Sequence, residues 1–329
     1  MILHSPITTC LGLDIAKTKL DARLLRGPRA HHAQFDNSKP GLASLLVWCQ
    51  KHGALAPLTV LEATGRYSDL AAAQLHAAGH RIHLANPRRI KDHARSLGRR
   101  NKTDRIDAAL IAGFGATRTL PAWQPAAPAQ ETLRALMRRH AELATLLQAE
   151  RNRIESAATE LVVKSLARLR RALEKELATL EAQITEQVRA CPELRADIER
   201  LCQIKGIGER TARWLCAELP RHLPNARAAA AWLGVTPRVR QSGSSVRSTA
   251  PAGADGNRHL RRVLFMAALV ARRYNPRLKT FADRLAAAGK AKMSVLIAVL
   301  HKLLKISFAL LKNQSAYDPA HNVFSHLDN

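Results

Sequence analysis

Aromatic residues are scarce in this chain, at 4% of its 329 residues. That shortage argues against a surface that binds by stacking successive splayed bases on rings. Cysteine is also thin: Cys10, Cys49, Cys191, Cys202 and Cys216 lie far apart, with no CxxC and no paired histidine spacing. Neither a zinc site nor a disulfide framework is expected, and a reducing cytosol is. The opening residues MILHSPITTC lack the basic flank and apolar run of a signal peptide. No stretch reaches the ~20 uncharged apolar residues of a membrane span, because even the 295–311 segment carries His301, Lys302 and Lys305. Acidic residues are half as numerous as basic ones, 26 against 52, which leaves a formal charge of +26 spread over most of the length. The expectation is a soluble protein, with no membrane partner, that grips the phosphate backbone of a polyanion.

At this length two or three domains are expected. The first ~120 residues alternate short apolar runs with helical patterns. TTCLGLDIA, LDARLL and the HHAQF stretch read as three successive strands joined by tight turns. A helix over about 41–52, the buried strand PLTVLEATG, a helix over about 68–78, the strand RIHLANP and a long polar helix follow. Three meander strands and then alternating helix and strand specify an α/β domain of ribonuclease-H-like kind, placed at 1–125. The Pro- and Ala-rich segment LPAWQPAAPAQ at 120–130 closes it.

Helix is expected to dominate from Glu131 to about Arg189, making 126–199 a coiled-coil or helical region. Leu166, Leu169, Leu173, Leu177, Leu180, Ile184 and Val188 recur at three- and four-residue steps along one seam. Leu133, Leu136, Leu143, Leu147 and Ile154 form an earlier run of the same kind. An intramolecular hairpin and a dimer seam both satisfy that spacing. The remainder, 200–329, is expected to be mainly helical. In it, IKGIGERTARWLCAEL has the shape of a helix-hairpin-helix, with Gly206 and Gly208 in a turn whose amides can approach a phosphate and Arg210 and Arg213 on the next helix. A Gly- and Ser-rich loop is expected over 241–257, and two basic amphipathic helices over about 258–273 and 290–312.

The candidate chemistry starts from carboxylates. Asp14 and Glu62 fall at the ends of predicted strands, where an open sheet projects side chains into its ligand crevice. Asp104 and Asp107 are three residues apart and so share one helix face, where like charges destabilise each other unless a cation compensates them. Hard oxygen donors of this sort suit Mg²⁺ or Mn²⁺.

GLDIAK at 12–17, LEATGRY at 61–67 and NKTDRIDA at 101–108 resemble the motifs of the DEDD transposases, insertion-sequence enzymes with a RuvC-like N-terminal domain. LGVTPRVRQSGSSVR at 233–247, LRRVLFMAALVA at 260–271 and RLAAAGKAK at 284–292 resemble that family's C-terminal transposase domain, and the bridge-RNA-guided recombinases in particular. The resemblance covers nearly the whole chain in the family's order. It implies that Asp14, Glu62, Asp104 and Asp107 hold the metal, and that Ser242 is the nucleophile that attacks a DNA phosphate, flanked by Arg238, Arg240 and Arg247. It further implies donor and target DNA and a guide (bridge) RNA as partners, a homodimer assembling to a tetramer, and a place in the bacterial cytoplasm at the nucleoid. At the positions where related sequences often carry a Ser-Lys pair, this chain has Gly253 and Ala254. His259 is a candidate base. Two other readings of the residues stay open: a RuvC-like metal-dependent junction endonuclease in which water attacks, and a nucleic-acid-binding scaffold without catalysis.

Overall fold

A computed structural model describes residues 9–63, 65–98, 104–236, 238–242, 246–250 and 256–318; the side chains of residues 66, 104–106, 238–242 and 246–250 lie outside that description. The chain divides into two compact units, residues 1–125 and 126–329.

In the first unit, β1 (Thr9–Ile15), β2 (Lys19–Arg26) and β3 (Arg29–Asp36) form an antiparallel meander. Gly27, at φ +55°, supplies the left-handed backbone that the two-residue connection between β2 and β3 requires. After α1 (Lys39–Lys51), β4 (Leu58–Glu62) pairs parallel with β1, and after α2 (Arg66–Ala77), β5 (Arg81–Ala85) pairs parallel with β4. The sheet order is therefore β3-β2-β1-β4-β5, followed in sequence by α3 (Pro87–Ser96) and α4 (Asp104–Ala116). The long polar helix expected after β5 is thus two helices. Ser38 caps α1 by accepting from the Gly41 amide at 3.2 Å, and Asn86 caps α3 by accepting from the Arg88 amide at 2.9 Å.

The two faces of this sheet bury different residues, as the period of two demands. Leu11, Leu13, Ile15 and Leu61 pack with Leu42, Leu45, Ala71 and Leu75 of α1 and α2. Cys10, Leu58 and Val60 pack with Ile90, Ile111 and Phe114 of α3 and α4. On this second face α4 lies against the sheet almost backbone to backbone. A Cβ built on Gly12 would strike the Ala112 amide nitrogen and stand 2.6 Å from the Ala108 carbonyl oxygen. One built on Gly115 would stand 2.5 Å from Cys10 Sγ and 2.6 Å from Val60 Cγ2. Because residues 108 and 112 meet Gly12 while residue 115 meets Cys10 and Val60, α4 runs antiparallel to β1 and β4.

The second unit is mainly helical: α5 (Pro128–Glu155), α6 (Glu160–Ala190), α7 (Pro192–Cys202), α8 (Glu209–Glu218), α9 (Ala226–Leu233), α10 (Arg258–Tyr274), α11 (Pro276–Ala287) and α12 (Lys292–Asn313). Between α9 and α10, β6 (Arg238–Ser242) and β7 (Val246–Ala250) pair antiparallel, where the composition had suggested loop. The helical region expected over about 131–189 consists of two helices that run antiparallel as an intramolecular hairpin, as Arg151 meets Glu174 at 3.1 Å while His140 meets Glu181 at 3.7 Å. Leu133 and Met137 of α5 and Ile184 and Val188 of α6 belong to the same core as Trp214, Leu264 and Leu300. By length and hydropathy alone α12 could cross a membrane, but 72% of its apolar window is buried, and Val295, Val299, Leu303 and Ile306 belong to that core.

Replacing Gly12 by alanine forces α4 off the sheet or distorts β1. We expect a loss of roughly 2–3 kcal/mol in the stability of the first unit, measured by thermal or denaturant unfolding, whereas Gly113→Ala, in the same helix and with only His93 Nε2 at 3.8 Å from its Cβ position, leaves α4 packed on the sheet.

Candidate active site

Asp14 is the sixth residue of β1, two beyond Gly12 and four beyond Cys10. Since Cys10 and Gly12 both face α4, alternation puts Asp14 on the same face. Glu62 ends β4, two beyond Val60, which also faces α4. The register between β1 and β4 runs through Leu13 opposite Leu61, so Asp14 and Glu62 are next in line on neighbouring strands. The antiparallel course of α4 then brings its first turns, with Asp104 and Asp107, toward the strand ends that carry Asp14 and Glu62. Asp107 is half-buried there, and the Asp104 side chain lies outside the described residues. Acidic residues are favoured at a helix start because the unpaired amides carry partial positive charge.

Asp104 and Asp107, about 90 positions beyond Asp14, are thus brought toward the sheet edge and face that carry Asp14 and Glu62, and the donor set is hard oxygen. That combination fits Mg²⁺ or Mn²⁺. Among the described residues, which leave out the Asp104 side chain, no three His, Cys, Asp or Glu groups stand close enough to grip a single ion. What the carboxylates share is an edge and a face.

A fifth acid stands beside them that sequence reasoning missed. Asp21 of β2 is the cross-strand partner of Asp14, and directly opposed residues project to the same face. It is 7% exposed. Its Oδ1 lies 3.0 Å from His32 Nε2, and its Oδ2 accepts from Gln34 Nε2 at 3.0 Å, both from β3. The available signal was an aspartate inside the apolar strand LDARLL, which is a costly place for a charge without partners.

In the second unit, Ser242 is the last residue of β6, with its backbone opposite Val246 of β7. The side chains of Ser242, Arg238, Arg240 and Arg247 lie outside the described residues, as do Gly253 and Ala254 altogether. The turn between α7 and α8 holds Gly206 and Gly208. A Cβ at Gly206 would meet Ala271 of α10 at 2.5 Å, so this glycine lets the turn pack on α10, while Gly208 has open space around it at the start of α8. Arg210 is exposed. Arg213, expected beside it as a phosphate contact, is turned into the fold, 8% exposed. Its guanidinium donates to Glu181 Oε1 at 2.5 Å and Glu209 Oε1 at 2.6 Å, so its charge holds α8 to α6. His259 packs its ring on Trp214 with centroids 4.0 Å apart. Burial, helped by the charges of Arg262, Arg138 and Arg210 against an opposing pull from Glu218, pushes its pKa down and keeps the ring neutral near pH 7.

Comparison with known proteins adds an independent line. Residues 11–163 match the DEDD transposase family of IS110 type, and residues 198–283 match the Transposase IS116/IS110/IS902 family. The pilin gene-inverting proteins of Moraxella bovis and Moraxella lacunata are each 32% identical over 317 residues, covering 94% of this chain and 98% of theirs. An IS110 insertion-element protein of Streptomyces coelicolor, described as an uncharacterized 43.6 kDa protein, is 31% identical over 162 residues, 48% of this chain and 38% of that one.

The two arginines of α8 should separate on mutation. Arg213→Ala is expected to cost about 1–2 kcal/mol of stability through its lost ion pairs, while Arg210→Ala stays within about 0.5 kcal/mol of the parent and lowers the salt dependence of DNA binding. Paired unfolding curves and salt titrations measure both.

Proposed function

This chain belongs to the IS110 family of transposases and is a DNA recombinase, and we propose that it cuts and rejoins DNA through a covalent phosphoserine at Ser242 with help from a divalent metal in the acidic edge of its first unit. The observation that carries the metal half is the crossing of α4 over Gly12, which draws Asp104 and Asp107 toward Asp14 and Glu62. Those four residues would hold Mg²⁺ or Mn²⁺. The chemistry such an ion supplies is neutralisation of the negative charge that develops on a phosphate in transfer.

The rest of the reaction belongs to the chain's own groups. The Ser242 hydroxyl oxygen attacks the phosphorus of a DNA strand. A bond from Oγ to phosphorus forms, the bond to the 3′ oxygen breaks, the hydroxyl proton is lost, and the departing oxygen gains a proton. Energy of the phosphodiester is kept in the phosphoserine, so a 3′ hydroxyl of another strand reverses the step and rejoins without a high-energy cofactor. Arg238, Arg240 and Arg247 stand within a few residues of Ser242 in β6 and β7 and offset charge on the phosphoryl group. The open helix start at Gly208 and the exposed Arg210 supply a further backbone contact.

The charge of +26 supports a large polyanionic partner load, and we assign it to donor DNA, target DNA and a guide RNA. Self-association is supported by the far end of the α5–α6 hairpin, where Leu146, Leu161, Val162 and Leu169 are 50%, 81%, 48% and 47% exposed. We assign that end to contacts within a dimer that pairs into a tetramer. The name of the Moraxella relatives, which invert a pilin gene, is in keeping with site-specific exchange rather than plain hydrolysis.

A nicked DNA substrate carrying the recombination site, offered to the protein together with the RNA that copurifies with it, tests this reading. The wild type is expected to become covalently linked to DNA only with divalent metal, Ser242→Ala to lose the adduct entirely, and Asp14→Asn to lose roughly a hundredfold or more in rate with the fold retained. Free 5′-phosphate ends with no adduct would establish a water-attacking nuclease. Salt-sensitive binding without any cleavage would establish a scaffold.

A further inference from the structure

The segment that carries Ser242 leaves and rejoins the second unit at one place. It departs after α9, where Gly234 caps the helix at φ +78°. It returns at Gly256, whose position admits no side chain: a Cβ there would strike the Leu233 carbonyl oxygen and stand 2.8 Å from the Gly234 amide nitrogen. The residues that flank 235–255 are therefore in backbone contact. Arg261 Nη1 donates to the Gly234 carbonyl at 3.3 Å across the same junction.

Asn257 comes next, and both ends of its side chain are committed. Its Oδ1 accepts from the Leu260 amide at 2.9 Å and so caps α10. Its Nδ2 donates to Glu218 Oε2 at 2.8 Å. Glu218 is 4% exposed at the end of α8. Burying that carboxylate is costly unless it is paired, and the pairing comes from α5: Arg138 Nε donates to Glu218 Oε1 at 2.6 Å and Arg138 Nη2 to Glu218 Oε2 at 2.9 Å. A planar fork on a carboxylate fixes direction as well as distance. One buried acid thus links the hairpin helix α5, the helix α8 and the foot of the segment bearing Ser242.

We infer that Glu218 is a positioning residue for Ser242: through Asn257 it anchors the foot of the β6–β7 arm, and through Arg138 it sets that anchor by the orientation of α5. The inference rests on Ser242 as the nucleophile. Its physical consequence is that small errors at the foot are carried along β6 to the reacting hydroxyl, and a misplacement of about 1 Å can cost two orders of magnitude in rate. Phosphate contacts elsewhere on the basic surface do not depend on the foot, so DNA affinity and covalent attachment should part company.

Asn257→Ser tests this cleanly, because serine still caps α10 but cannot donate the amide hydrogen bond to Glu218. Asn257→Asp also retains a cap and sets a second negative charge against Glu218. We expect Asn257→Ser to melt near the parent and Asn257→Asp below it, both to bind site-bearing DNA within about threefold of the parent, and the rate of covalent attachment to fall roughly tenfold or more in each. A nitroxide attached at Ser242→Cys, in a chain with Cys191 and Cys202 replaced by serine, should show a freer probe in both variants by electron spin resonance. Attachment at the parent rate with an unchanged probe would overturn the inference, as would loss of stability, DNA affinity and attachment together. If the parent forms no adduct, the nucleophile reading fails, and the probe alone then decides the tie: a freed probe supports it and an unchanged one overturns it.

Discussion

The absence of side chains at Gly12 and Gly115 lets α4 sit on the face of β1 and β4, and the acidic edge depends on that approach. With larger residues there, a helix would ride at ordinary packing distance and its first turns would be lifted away from the strand ends. Close contact with backbone on one side and small residues such as Ala108 and Ala112 on the other fixes both the height and the direction of the helix. Direction matters as much as height. Only the antiparallel course puts the helix start, with its aspartates and its partial positive charge, beside Asp14 and Glu62.

The second unit solves a different problem: it carries a large excess of cations and needs some of them for its own architecture. Arg213 is spent on Glu181 and Glu209, Arg138 on Glu218, and Arg200 and Arg221 both on the buried Asp197. The Arg213–Glu181 and Arg138–Glu218 pairs join separate helices, and Asp197 ties α7 to the segment after α8 through Arg221. Buried acids are few and each is answered by arginine, whose fixed fork suits the task better than lysine. The charge that the helices do not use internally is left at the surface, on exposed residues such as Arg210.

Much of the first unit could be read in the sequence because its elements follow local periodicity. β1, β2, β4 and β5 are short apolar runs, and α1 and α2 sit between them with the expected spacing. The acids at positions 14 and 62 were legible as strand ends. The family resemblance grouped Asp104 and Asp107 with them, but the close approach of α4 that draws these residues toward the strand ends was not legible, since it depends on contacts between Gly12 and residues about 100 positions away, which no periodicity records. Asp21 was hidden for the same reason: its partners His32 and Gln34 are on another strand. In the second unit, RVRQS and VRSTA show too little apolar alternation to announce β6 and β7. α11 went unforeseen although Asn275 and Pro276 make a cap and first-turn signal. Arg213 and Arg210 look alike in sequence, and only packing separates the structural cation from the exposed one.

The central claim is that carboxylates on two strands and one helix share a single metal, and iron substitution reads it directly. Fe²⁺ loaded in place of Mg²⁺, with ascorbate and peroxide, generates radicals that cut the chain beside whatever holds the ion, and mass spectrometry locates the cuts. The account predicts cuts near Asp14, near Glu62 and near Asp104 and Asp107 together, all lost in Asp14→Asn and weakened in Gly12→Ala. Cuts confined to one of these segments, or unchanged by Asp14→Asn, would contradict it.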